Sequence, residues 1–189
     1  GVLIKFPLIV SDQPDNKHFL ETFTTRPDTI FSVTFVAISP ELAQQWLTVG
    51  WNASDKVKQY IQKALSVETK QAIKETLEKT GIFTGVHAIN PVNNEKIPVW
   101  ISNFVLAEYG TGAVMADAHD QRDFEFAKKY DIPLKFVIST DGTPHDAGKA
   151  KQAFVDDGIL FNSNQFSGMC NREALPKIAD WIVKNKWGK

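Results

Sequence analysis

An α+β fold, with an antiparallel β-barrel-like core and surrounding helices, is predicted by three features of the sequence. Strand-like segments run along most of the chain, helix-period segments are inserted between them, and no sustained βαβ alternation of the kind that builds a parallel sheet is present. Taken in order, Gly1-Val2-Leu3-Ile4-Lys5-Phe6-Pro7 lacks a basic leader region and a cleavage site, and reads as a strand entered mid-protein, as if cut from something larger. Phe19 to Thr25 is apolar with β-branched threonines, and Thr34 to Ile38 is denser still, so both are strands. Ser54 to Leu65 puts Val57, Tyr60, Ile61, Ala64 and Leu65 on one helical face, with Ser54 as N-cap. A second helix, Glu68 to Lys79, stops at Gly81, which is expected to be its C′ residue. The turn-rich Asn90-Pro91-Val92-Asn93-Asn94 before Ile97 to Val105 predicts a hairpin. Gly112 to Ala116, Leu134 to Ile138 and Gly158 to Phe161 are shorter strands, Asp120 to Tyr130 and Arg172 to Lys184 are helices, and Ser139 to Lys149 is a polar surface loop.

The 189 residues fit one domain, 1–189, with a helical insertion around 54–80. An apolar fraction of 43% is enough to bury a core. No segment approaches the roughly 20 apolar residues of a spanning helix, so no membrane partner is expected. Cys170 stands alone, which rules out an internal disulfide and makes a cytoplasmic setting the expectation. A net charge of −1 argues against a free-standing nucleic-acid binder, but suits a domain that touches one nucleotide end while a partner grips the rest.

Several familiar chemistries are absent. Gly110-Thr111-Gly112 begins like a dinucleotide fingerprint, but Met115 takes the third glycine position, and glycines flanking a tight strand entry explain it better. There is no phosphate-cradling GxxxxGK[ST] and no GxSxG elbow. Histidines 18, 87, 119 and 145 are dispersed and remote from the lone cysteine, so no metal site is expected. A hydrolase built from these residues would use neither a covalent nucleophile nor a metal.

Two motifs carry chemistry. Thr24-Thr25-Arg26-Pro27-Asp28-Thr29 lies at a strand end, where Pro27 fixes its own φ and pushes Arg26 toward an extended conformation. The loop offers three hydroxyls, a guanidinium and backbone N–H groups to a ligand rich in ester and ribose oxygens; a plain strand-to-turn exit explains the same residues. In His119-Asp120-Gln121-Arg122-Asp123, Asp120 is a natural N-cap and Asp123 falls at the capping-box position. The macrodipole and unpaired N–H groups there are expected to hold both carboxylates ionised, ready for an ammonium group. A well-capped amphipathic helix is the simpler account of that stretch too.

TTRPDT, then GTGAVMA, then HDQRDFEFAKKY, in that order, resembles the editing (CP1) domain of bacterial-type leucyl-tRNA synthetases. Lys79 to Gly85, Asn90 to Trp100, Gly158 to Ser163 and the closing helix are similar to that family too, so the resemblance covers nearly the whole chain. Related valyl domains have Glu where this loop has Asp28, and isoleucyl domains lack the arginine at Arg26. The resemblance implies the valyl/isoleucyl/leucyl editing fold, a β-barrel core with helices around it. It implies a post-transfer editing hydrolase that cleaves the ester of tRNA(Leu) mischarged with norvaline, methionine or isoleucine. Its partners are the aminoacylated tRNA 3′ end and the rest of the synthetase. With no HIGH or KMSKS signature, aminoacylation is not expected of this chain, and ATP and Mg belong to the synthetic site of the full enzyme.

By the same resemblance, Asp123 anchors the α-ammonium, Thr24, Thr25 and Arg26 line the ester and terminal adenosine, Thr29 blocks leucine, and Met115 walls the pocket; His119 and Asp120 stand among the substrate-binding residues. A second sieve makes physical sense, because one methyl is worth only ~1–3 kcal/mol in selection. The sequence departs from the family at Met115-Ala116-Asp117-Ala118-His119-Asp120. That segment is one residue shorter than the usual Met-Ala-Val-Pro-Ala/Gly-His-Asp and has an acid near a normally apolar wall. Asp117 is expected to face solvent, since acids are rarely buried unpaired. The competing reading is a tRNA 3′-end-binding domain that has lost hydrolysis through this change.

Overall fold

The computed structural model describes residues 1–10, 13–66, 78–108 and 110–189. Six strands form one sheet in the order β2-β1-β4-β5-β3-β6, and two more form a small separate pair, β7-β8. β1 (Val2–Val10) and β2 (Gln13–Thr24) are an antiparallel hairpin running from Val2↔Thr24 to Val10↔Gln13, with a register shift between Pro7 and Leu8. Pro7 has no N–H to give the ladder, so an irregularity is least disruptive there. β4 (Gly81–Ile89) and β5 (Lys96–Ser102) are the predicted hairpin around Asn90 to Asn94. Asn94, at φ 58°, supplies the left-handed residue of that turn. The buried Asn90 side chain donates to the Ile30 carbonyl at 2.9 Å and accepts from Val92 N–H at 3.2 Å, tying the turn to the threonine loop.

β3 (Phe35–Ile38) sits between β5 and β6 (Ala113–Ala116) and is buried along its whole length. Both of its faces are covered, which explains its unbroken apolar run. Val36 and Ile38 join the main core with Ile4, Ile30, Val99, Ile101 and Ile178, while Phe35 and Ala37 join a second cluster with Phe126 and Ile132. β3 pairs with β5 in parallel and with β6 antiparallel, so the sheet is mixed at this end.

The strands do not close into a hydrogen-bonded barrel. The edge strands β2 and β6 lie near each other without pairing, and among the described residues the Thr111 hydroxyl, just before β6, donates to the Glu21 carbonyl of β2. Gly110 and Gly112, at φ 70° and 75°, turn the chain into β6 as the glycine reading expected.

Four helices surround the sheet among the described residues: α1 (Pro40–Thr48), α2 (Asp55–Leu65), α3 (Gln121–Lys129) and α4 (Asn171–Lys184). α2 begins at the predicted cap, with Ser54 Oγ accepting from Val57 N–H at 3.3 Å. Most of the predicted helix Glu68 to Lys79 lies outside the described residues. Gly81 opens β4 rather than ending a helix, and a Cβ there would meet the Ile101 carbonyl and the Phe126 ring, each at 2.5 Å. It is glycine for close packing, not for a left-handed cap. α1 was not anticipated, although Ser39-Pro40 is an N-cap followed by N1 proline, and Ser39 Oγ accepts Leu42 N–H at 3.1 Å. Leu134 to Ile138 and Gly158 to Phe161 shrink to β7 (Ile138–Ser139) and β8 (Ile159–Leu160).

The C-terminal residues return to β1. Leu3 and Lys189 exchange backbone hydrogen bonds at 2.8 and 2.9 Å, and Lys5 N–H reaches the Trp187 carbonyl at 2.7 Å. No helix among the described residues is long and apolar enough to cross a membrane.

Candidate functional site

A cleft of about 580 Å³ opens between the end of β2 and the start of α3. Thr24, Thr25, Arg26, Thr29, Met115, His119, Asp120 and Asp123, all singled out in the sequence, line it together. Asp117 lines it as well, with the apolar rim residues Phe23, Phe104, Val105 and Leu106, which sequence reasoning did not find.

The threonine wall is built by a short 3-10 turn, Pro27–Ser32, buried throughout. Pro27 starts it because the first N–H of a helix has no partner to lose. The Arg26 guanidinium wraps back on Asp28, with Nε to Oδ1 at 3.0 Å and Nη2 to Oδ2 at 2.9 Å. Its hydrogen bond to Asp28 raises the Arg26 pKa. Asp28 is fully buried and also accepts Asn171 Nδ2 at 3.0 Å, which fastens the loop to the first residue of α4. Two of the three guanidinium nitrogens are thus committed to Asp28, and among the described residues Nη1 makes no hydrogen bond and is left for a ligand. Thr24 Oγ accepts Arg26 N–H at 2.9 Å, so its own hydrogen is left to donate, and Thr25 is exposed. Thr29, at 2% exposure, hydrogen-bonds Asp117 Oδ2 at 2.8 Å and the Arg26 carbonyl at 3.0 Å.

The aspartate wall follows β6. Asp120 caps α3 as expected, its Oδ1 accepting Arg122 N–H at 2.8 Å and Asp123 N–H at 3.2 Å. Burial works against its charge, but the Arg122 guanidinium and the two N–H groups outweigh it and hold the carboxyl below its ordinary range. Asp123 behaves differently from the sequence expectation. It is buried at 7% exposure and accepts only one backbone N–H there, that of Asp117 at 3.2 Å. Burial, then the charges of Asp120 and Asp117, push its pKa well up, so the helix start does not by itself hold it ionised.

Asp117 is not a solvent-facing carboxylate. It is 5% exposed, and its burial is compensated by the Thr29 hydroxyl and by His119 N–H, 2.7 Å from Oδ1. Burial still lifts its pKa to about 6. Strand alternation was the available signal: Met115 and Asp117 are two residues apart and face the same side.

His119 is held by its neighbours rather than offered to a ligand. Nδ1 is 2.7 Å from the Phe154 carbonyl, which can only accept, so Nδ1 carries the proton; Nε2 accepts Val137 N–H at 3.0 Å. Burial lowers its pKa to about 4, so the ring is neutral and has no free lone pair for base catalysis. Among the described residues, no three His, Cys, Asp or Glu side chains are arranged to hold a metal ion.

A cleft with hydroxyls on one wall and three clustered carboxyls on the other can bind a small cationic ligand that also carries oxygen acceptors. A family model described as leucyl-tRNA synthetase, editing domain, matches residues 1–183. The leucine–tRNA ligase of Petrotoga mobilis is 46% identical over 93% of this chain, and the chain spans 21% of that protein. The chain likewise spans only about a fifth of the other curated relatives, as with the 22% of the Oleidesulfovibrio alaskensis leucine–tRNA ligase, which is 42% identical. Among solved structures, a LeuRS–tRNA–LeuAMS ternary complex from Agrobacterium radiobacter K84 superposes over the whole chain with a TM-score of 0.68 at 24% identity, covering 19% of that protein. At that identity the likeness speaks for the fold.

Proposed function

The chain belongs to the leucyl-tRNA synthetase editing-domain family, and we propose that its cleft is the site where the aminoacyl ester of mischarged tRNA(Leu) is hydrolysed. The observation that carries this reading is the convergence of the threonine loop and a surplus of carboxyls on one cleft. Asp117, Asp120 and Asp123 share the cleft with two cations, Arg122, which Asp120 already engages, and Arg26, which is committed to Asp28. An aminoacyl ester brings the missing charge. Its α-ammonium beside Asp123 offsets the burial and the neighbouring charges that raise that carboxyl's pKa, so binding and ionisation are coupled.

The ester and the terminal ribose then lie against Thr24, Thr25 and Arg26. Water adds to the ester carbonyl carbon, the C–O bond to the ribose breaks, and the ribose oxygen leaves with a proton. The developing oxyanion is met by oriented donors, the Thr24 and Thr25 hydroxyls and Arg26 Nη1, rather than by a strong base. His119 has no part in proton transfer, since both its nitrogens are occupied. Met115 and Thr29 bound the side-chain pocket, where Thr29 excludes leucine and admits norvaline, methionine or isoleucine. With the domain near neutral charge, the rest of the synthetase supplies the grip on the tRNA. ATP and Mg act at that enzyme's synthetic site, and the setting is cytoplasmic.

Deacylation of norvalyl- and leucyl-tRNA(Leu) by the full-length protein tests this. Wild type should hydrolyse the norvalyl ester and spare the leucyl one. Thr29→Ala should hydrolyse both, and Thr29→Tyr neither, because the block is steric. A wild type that binds the tRNA end and hydrolyses neither ester would instead identify a binding domain.

A further inference from the structure

We propose that Asp117 is the specificity-determining residue of this pocket, holding Thr29 in the rotamer that makes it a gate; the inference rests on the editing reading above. Thr29 and Asp117 are 88 residues apart in sequence, and their 2.8 Å hydrogen bond crosses from one wall of the cleft to the other. The Thr29 hydroxyl is bracketed by two acceptors, Asp117 Oδ2 and the Arg26 carbonyl. Holding Oγ against both acceptors restricts χ1, and once Oγ is fixed the methyl on the same Cβ is fixed with it. The Arg26 carbonyl alone is a bond within one turn, of the weak kind any such threonine makes. The carboxylate is the stronger and the directional partner.

Asp117 is itself immobilised. Its Oδ1 takes His119 N–H at 2.7 Å, and its own N–H goes to Asp123 Oδ2 at 3.2 Å. The His119 ring is in turn anchored to the backbone of Val137 and Phe154. One peptide segment therefore carries both the gate's partner and a contact to the carboxyl that would receive the ammonium. A carboxylate in the wall of a pocket for aliphatic side chains is costly unless its oxygens are occupied. Here the gate occupies one oxygen and the segment's own N–H the other.

The test compares Asp117→Asn and Asp117→Ala in the full-length protein, each alone and with Thr29→Val. Asp117→Asn keeps a polar partner for the hydroxyl and for His119 N–H, and should keep the norvalyl-over-leucyl deacylation ratio within about threefold of wild type. Asp117→Ala frees the threonine, and should lower that ratio by about tenfold or more through faster leucyl hydrolysis. In the Thr29→Val background, which has no hydroxyl to hold, Asp117→Ala should change the ratio no further. A folded Asp117→Ala protein with the wild-type ratio overturns the proposal. Calorimetric binding of non-hydrolysable norvalyl- and leucyl-amino-adenosine analogues decides it even if no ester is cleaved. Asp117→Ala must narrow the preference for the norvalyl analogue; an unchanged preference overturns the gate role, and a wild type that binds neither analogue overturns both readings.

Discussion

The threonine wall, Thr24 to Ser32, balances its charge internally, whereas the aspartate wall, Asp117 to Asp123, does not. On the first, Arg26 and Asp28 neutralise each other and Asn171 satisfies a remaining acceptor of the buried carboxylate. On the second, three carboxyls share a short stretch of chain, and their protonation is spread apart: Asp120 pulled down, Asp117 lifted to about 6, Asp123 pushed well up. One cleft thus joins a wall that is complete without a ligand to a wall that a cation would complete. Rigidity and affinity are supplied from opposite sides, so the two walls should fail differently when mutated.

The largest effect is expected on the balanced wall. Asp28→Ala leaves Arg26 half-buried without its partner and removes the tie to α4, and should cost about 3–5 kcal/mol in chemical denaturation. A variant as stable as wild type would mean that the pairing does not hold the loop.

On the other wall, removing charge should stabilise. Asp117 has an ordinary value of 3.8 and a folded value of about 6. A raised carboxyl favours folding fully below its unfolded value, and that contribution is lost as pH rises through the folded one. Asp117→Asn does not titrate, so its stability relative to wild type should rise between pH 3.8 and about 6 and then level off, by about 3 kcal/mol in total. A flat difference across that range would show the carboxyl to be better compensated than its burial suggests.

Asp123→Ala should leave the fold intact and reduce kcat/KM for norvalyl-tRNA(Leu) about a hundredfold, the loss of one charge-assisted contact. Wild-type hydrolysis by the folded variant would remove Asp123 from the site. The smallest effect is at the cap. Asp120→Ala should cost about 1 kcal/mol of thermal stability, since two backbone N–H groups lose their acceptor. A loss as large as that at Asp28 would erase the contrast between the walls.

What the sequence made legible was local. The Ser54 and Asp120 caps, the Asn90 hairpin and the proline-led threonine loop are each written in a few adjacent residues, and each is where it was read. The membership of eight side chains in one cleft was legible only through resemblance, because two motifs about ninety residues apart carry no local record of their contact. What was lost was environment. The sequence puts Asp117 in solvent and holds Asp123 ionised at the helix start, whereas both are buried, since partners such as the Thr29 hydroxyl come from distant chain. His119 was read as a ligand-facing polar group for the same reason, its ring being claimed by the backbone of residues 137 and 154. Sheet closure was not legible because strand count and alternation do not specify whether the edge strands meet.

The pairing of the two chain ends has a mechanical consequence. Leu3 with Lys189, then Lys5 with Trp187, form an antiparallel ladder whose open end is the pair of termini. A pull between those termini does not shear the ladder but unzips it, one bond group at a time and beginning at Leu3 and Lys189. Opening it lifts Trp187 off Trp181 and the main core, so the seam carries apolar packing as well as hydrogen bonds. Tension reaching the domain through its ends would therefore be spent at the seam, and the spacing of the two cleft walls would be insulated from it.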